Sequence, residues 1–169
     1  MDGYASDPPA LDDVSYTITL FKVARQPPDS DFRRARVTVL ETRLVSVSID
    51  RSYEDVYGFV VDPENLPLWA PGFALAVSKD AKGWMVATAD GPVRIAFAES
   101  NEFGVADHHV TAITGELFSN RMRVVPNGDG AEVTFTLFRS LETSAEQFAE
   151  DARLVRDDLH TLKLLLEGP

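Results

Sequence analysis

From residue 37 the chain alternates between two hydrophobic rhythms. Residues 37–49, VTVLETRLVSVSI, put Val45, Val47 and Ile49 on one face and Ser46 and Ser48 on the other. A period of two predicts a long strand. Asp50-Arg51-Ser52 ends it. Ser52 suits a helix N-cap, with Asp55 at the third helical position. Val56, Phe59 and Val60 then fall at i, i+3 and i+4, one apolar helical face. Asp62-Pro63 stops that helix. A second short helix is predicted over PENLPLWA, with Pro63 in its first turn and Leu66 and Trp69 on its inner face. Pro71-Gly72 forces a turn.

Residues 73–139 read as six short strands, over 73–79, 84–89, 92–99, 105–113, 117–125 and 131–139. Strong turn signals join them: Asp80–Gly83, Asp90-Gly91, Asn101–Gly104, Thr114-Gly115 and Asn127-Gly128-Asp129-Gly130. Connections this short make an antiparallel meander, because parallel crossovers need longer ones. After Thr143-Ser144, a helix-start signal, no Pro or Gly occurs before Gly168. Phe148, Ala152, Val155, Leu159, Leu162 and Leu166 recur at steps of three and four. They predict an amphipathic helix of about 23 residues, roughly 35 Å long. Its seam is expected to cover the sheet, though two such seams could also meet in a homodimer.

Residues 1–36 differ. Pro8-Pro9 and Pro27-Pro28 bracket VSYTITLF, residues 14–21, whose alternation is strand-like between coil-forming flanks. The expectation is an N-terminal extension, partly disordered or adding an edge strand, followed by one domain over 37–169. The formal charge is −11, and the first 36 residues hold five basic and six acidic side chains, so the acidity belongs to the domain. Such a surface repels phosphate backbones and anionic head groups, which argues against nucleic acid or membrane as partner. No apolar run is long enough to span a bilayer and the acidic N-terminus does not read as a signal peptide, so a cytoplasmic location is expected. There is no cysteine, which removes disulfides, thiolate metal sites and a cysteine nucleophile.

The order is strand, two short helices, six strands, long helix. It fits an α+β architecture: a curved antiparallel sheet of about seven strands around a long C-terminal helix. A curved sheet cannot follow a straight helix along its whole length. Where they diverge, a gap roofed by the short helices is expected, lined by apolar side chains and suited to a ligand. The segment SVSIDRSYEDVYGFVVDPENLPLWAPG, with its strand ending at Ile49-Asp50, Val56 and Phe59 on the helix, Asp62-Pro63-Glu64-Asn65 and Trp69, resembles the START-like, helix-grip (SRPBCC) superfamily. The polyketide cyclase/dehydrase and lipid-transport branch is the nearest in pattern. The leucine-rich last helix matches too, and the resemblance covers about residues 40–167. It implies a helix-grip fold holding a small hydrophobic or aromatic molecule, without a cofactor. Members of that superfamily include carriers, receptors, cyclases and chaperone activators, so the fold leaves the chemistry open.

His108 and His109 are adjacent on a predicted strand and must face opposite ways. Ala106, His108, Val110 and Ala112 form the more apolar set, so His108 is expected inside, where it could act as acid or base. Asp157 or Asp158 on the last helix could supply a second proton-transfer group for a cyclase-type reaction. No metal is expected, since the histidines lack ligand spacing. The remaining ligand-lining candidates are Phe59, Trp69, Phe73, Trp84, Phe97, Met122, Phe135, Val155 and Leu159, aromatic walls and adaptable filler on predicted inner faces. Arg94, Arg121 and Arg123 are expected on the outer face.

Overall fold

The computed structural model describes residues 39–168. The N-terminal extension and its strand-like segment 14–21 lie outside the described residues. Strand β1 runs Thr42–Ile49 and helix α1 Tyr53–Val61. A 3-10 turn, Pro63–Asn65, leads into the four-residue helix α2, Leu66–Trp69. Then come β2 (Ala76–Asp80), β3 (Gly83–Thr88), β4 (Gly91–Phe97), β5 (His108–Ala112), β6 (Leu117–Asn127), β7 (Gly130–Phe138) and α3 (Ala145–Glu167). The strands form one antiparallel sheet in the order β1-β7-β6-β5-β4-β3-β2. This is the helix-grip α+β fold.

Local chemistry accounts for the element ends. The Ser52 hydroxyl accepts from the Asp55 amide at 3.2 Å, and the Ser144 hydroxyl from the Gln147 amide at 3.1 Å. Each satisfies one of the amides that a helix start leaves without a partner. Gly128, at a φ of +62°, closes the β6–β7 hairpin, where Asn127 faces Gly130. Phe148, Ala152, Val155, Leu159 and Leu162 of α3 are buried against the sheet.

Three strands begin later than their hydrophobic pattern predicts, the first of them β1, which starts at Thr42 and leaves 39–41 outside it. Residues 73–75 complete the turn after Pro71-Gly72, with the Phe73 and Ala74 amides both donating to the Ala70 carbonyl. The strand expected from residue 105 is interrupted. Val105 makes one isolated bridge to Arg123, and pairing with β4 and β6 starts at His108. The cause is Asp107. Its carboxylate accepts the Met122 amide at 2.9 Å, in the place of a strand carbonyl, and binds the guanidiniums of Arg121 and Arg123. An Asp side chain competing with the ladder in this way bends the strand locally.

Candidate ligand cavity between the sheet and the terminal helix

The C-terminal half of α3 lies on β1 and is fastened there. Lys163 Nζ donates to the Ser48 carbonyl at 2.8 Å, and the Asp50 amide donates to Glu167 at 2.6 Å. Near its start α3 also touches β1, where the Arg43 guanidinium lies 5.0 Å over the Phe148 ring, and beside the middle of α3 the helix α2 comes between helix and sheet. A hollow of about 40 Å³ remains there. Leu66, Trp69, Ala70 and Phe73 roof it, Val155, Asp158 and Leu159 come from α3, and the sheet supplies His108, Val110, Phe118, Asn120 and Phe135. The lining is apolar except at His108, Asn120, Asp158 and the indole N–H of Trp69.

His108 is buried on the inner face of β5, while His109 is exposed. Register places Phe97, His108 and Asn120 in one row across β4, β5 and β6. The His108 ring sits 4.8 Å from that of Phe97 and 6.2 Å, edge-on, from that of Phe135. Its Nδ1 lies 3.2 Å from the Ala106 carbonyl, and its Nε2 lies 3.0 Å from the Asn120 amide nitrogen. A carbonyl only accepts, so Nδ1 carries the proton. Nε2 is then the acceptor and takes a hydrogen from Asn120 Nδ2. Burial pushes the imidazole down to about 4, so the ring is neutral at pH 7. Both its nitrogens are engaged within the protein.

This arrangement fixes Asn120 in turn. With its NH2 turned toward His108, its Oδ1 is buried without a hydrogen-bond partner, and Trp69 Nε1–H is buried likewise. Asp158 is the other polar wall. Burial, with Asp157 beside it, pushes its carboxyl up to about 7, against a favourable contact from the Gly72 amide.

Of the residues expected from sequence, Trp69, Phe73, His108, Phe135, Val155, Leu159 and Asp158 meet at the hollow. Phe97 and Met122 lie behind its wall, Phe97 against His108 and Met122 wholly buried. Phe59 is half-buried on α1, away from the hollow. Trp84 shares the inner face with Val86 but sits by the β2–β3 hairpin, where the Lys79 ammonium caps its ring at 4.9 Å. Asp157 turns to the outer side of α3 and pairs with Arg153, one helical turn earlier. Arg94 also faces out, paired with Asp80. Asn120 was missed by pattern reading, though the signal was present. The turn at 113–115 puts Ala112 beside Glu116, and counting back along both strands sets His108 opposite Asn120.

Among the described residues no three His, Asp or Glu side chains gather as a metal site, and no helix is long and apolar enough to cross a membrane.

A seven-stranded antiparallel sheet gripping a long terminal helix, with a hollow between, is the fold of the START-like superfamily. Solved structures agree. A START superfamily protein from Mycobacterium smegmatis superposes with a TM-score of 0.53 and 16% identity, covering 75% of this chain and 97% of that one. Ara h 8.0201 gives a TM-score of 0.58 at 14% identity over 77% of this chain and 99% of its own. DynU16, from the dynemicin biosynthetic locus, gives 0.56 at 16% identity over 75% of this chain and 47% of its own. At these identities the likeness is one of fold. No family model matches the sequence, and no protein of curated function does.

Proposed function

We propose that this protein binds, and so carries or sequesters, a small hydrophobic or aromatic molecule in the hollow between α2, α3 and the sheet. The observation that carries this reading is an apolar enclosure whose wall holds a few polar groups not consumed by the fold, the usual make-up of a ligand site. At about 40 Å³ the hollow has room for a few waters only. Ligand pockets run to roughly 300–1,000 Å³. Binding therefore requires the roof to move. Residues 66–73 are the part suited to it: a four-residue helix between Pro63 and Pro71, too short to be stable alone. Displacing Trp69 and Phe73 would release the largest volume from the roof.

The test is intrinsic fluorescence of a Trp84→Phe variant, which leaves Trp69 as the reporter, titrated with fatty acids, flavonoids and quinones. A saturable change with one class supports the reading. A flat response to all three overturns it.

A cyclase-type acid–base reaction is the second reading, favoured by the placing of Asp158 on the wall, where burial pushes its carboxyl up to about 7. In that case Asp158, and not His108, would exchange the proton, because the His108 lone pair is already held by Asn120. Asp157 is too far round the helix to take part.

A further inference from the structure

We infer that the hollow selects an uncharged ring compound bearing a hydroxyl, which donates to Asn120 Oδ1, and that it rejects carboxylates. This inference rests on the binding reading above and names its ligand class. The first ground is the pair of unpartnered atoms. Asn120 is 6% exposed and Trp69 4% exposed, and in each a strong polar atom has no hydrogen-bond partner. A buried amide oxygen without a donor is costly, and native proteins retain few of them. Rotating the Asn120 amide would not cure the fault. It would set Oδ1 against Nε2 of His108, and that nitrogen has no proton to give while Nδ1–H is held by Ala106. His108 is thus a positioning residue: it holds the Asn120 oxygen free on the inner face of the sheet.

The second ground is charge. No Lys or Arg lines the hollow, while Asp158 does. A carboxylate guest would lose its hydration with no cation to meet it and an acidic group nearby, a heavy penalty in an apolar enclosure. A hydroxyl loses far less than a charge, and a hydrogen bond inside the hollow offsets that loss. It can give its hydrogen to Asn120 Oδ1, and an oxygen of the same molecule can accept from Trp69 Nε1–H. Apolar rings without oxygen would leave both protein atoms as they are.

Calorimetric titration of the full chain with 2-naphthol, naphthalene and 2-naphthoate separates these cases. The expected order is naphthol tighter than naphthalene by roughly tenfold, the value of one to two well-made hydrogen bonds, with naphthoate weakest. In Asn120→Leu the naphthol preference should collapse while naphthalene binding holds or improves. The Trp69 indole N–H resonance, assigned in Trp84→Phe, should move further downfield with naphthol than with naphthalene. If naphthalene binds as well as naphthol, or naphthoate as well as either, the selectivity inference fails and the pocket stands. If Asn120→Leu keeps the preference, Asn120 is not the acceptor and the inference fails. If none of the three binds, the selectivity inference fails, and the fluorescence titration with fatty acids, flavonoids and quinones decides separately whether the pocket reading falls too. Should Asn120→Leu not fold, the parent's ranking of the three probes decides alone.

Discussion

His108 and Asp158 wall the same hollow, yet burial shifts them in ways that give opposite pH dependences. The His108 ring titrates at about 4 in the folded state against 6.5 when free. The unfolded chain therefore binds more protons between those values, and this group's contribution to stability is lost as pH falls through that window. Asp158 titrates at about 7 folded against 3.8 free, and Asp151, also buried on α3, at about 6. Here the folded state binds more protons, so stability is lost as pH rises from 3.8 toward 7. Asp158→Asn should therefore match the parent near pH 4 and melt several degrees higher at pH 8, the gap opening between. Melting curves across that range are the check, and a pH-independent gap would refute the assignment. His108→Leu should lose the acid limb between pH 6.5 and 4. At pH 7 it should also be less stable by about 1–3 kcal/mol, because the Asn120 amide loses its acceptor, and this deficit should shrink as pH falls toward 4, where only the parent loses stability. Denaturant titrations at pH 7 and pH 5 measure both effects.

At the scale of elements, α3 depends on its first turn. Ser144→Ala removes the acceptor for the Gln147 amide and should cost about 1 kcal/mol by urea titration. The turn into β5 is less forgiving. Gly104 has a φ of +65°, and a Cβ there would overlap the Val124 carbonyl oxygen. That carbonyl belongs to β6, whose own amide at Val124 donates to the Gly104 carbonyl. Gly104→Ala should prevent the Val105–Arg123 bridge and cost more than the cap, with loss of soluble protein as the readout. The elements that sequence made legible are those specified by local pattern: the capped helices, the Gly-marked hairpins and the α3 seam. Three features depended on contacts between distant segments and were not legible. Asp107 spends its carboxylate on the Met122 amide and on two arginines, so nothing in the alternation of 105–113 marks the break. Trp84 fits the inner-face pattern, but its distance from the hollow is set by strand register. The depth to which Trp69 and Phe73 fill the gap follows from packing of α2 on α3, which periodicity does not measure. Within the site, Trp69, Phe73, His108 and Asp158 were legible as inward or helix-borne groups. The orphaned oxygen of Asn120 was not, because it exists only through the tautomer of a residue on another strand.

At the scale of the molecule, the buried apolar side chains among the described residues fall between Val45 and Leu162. If the domain expected over 37–169 is the cooperative unit, a chain beginning at residue 37 should unfold in one transition with a midpoint close to that of the full chain, measured by far-ultraviolet circular dichroism. A broad or strongly lowered transition would mean that residues 1–36 belong to the cooperative unit. The position of β1 has a consequence of another kind. It pairs with β7 from Thr42 against Phe138 to Ile49 against Ala131, so its neighbour is, of the described strands, the last to be synthesised. At about 5–20 residues per second, the first strand waits on the order of several to twenty seconds during synthesis. Through that interval the β1 backbone lacks its ladder partner and Val45, Val47 and Ile49 lack the β7 residues paired with them. A nascent chain halted before Gly130 is the form that a chaperone or a protease would meet.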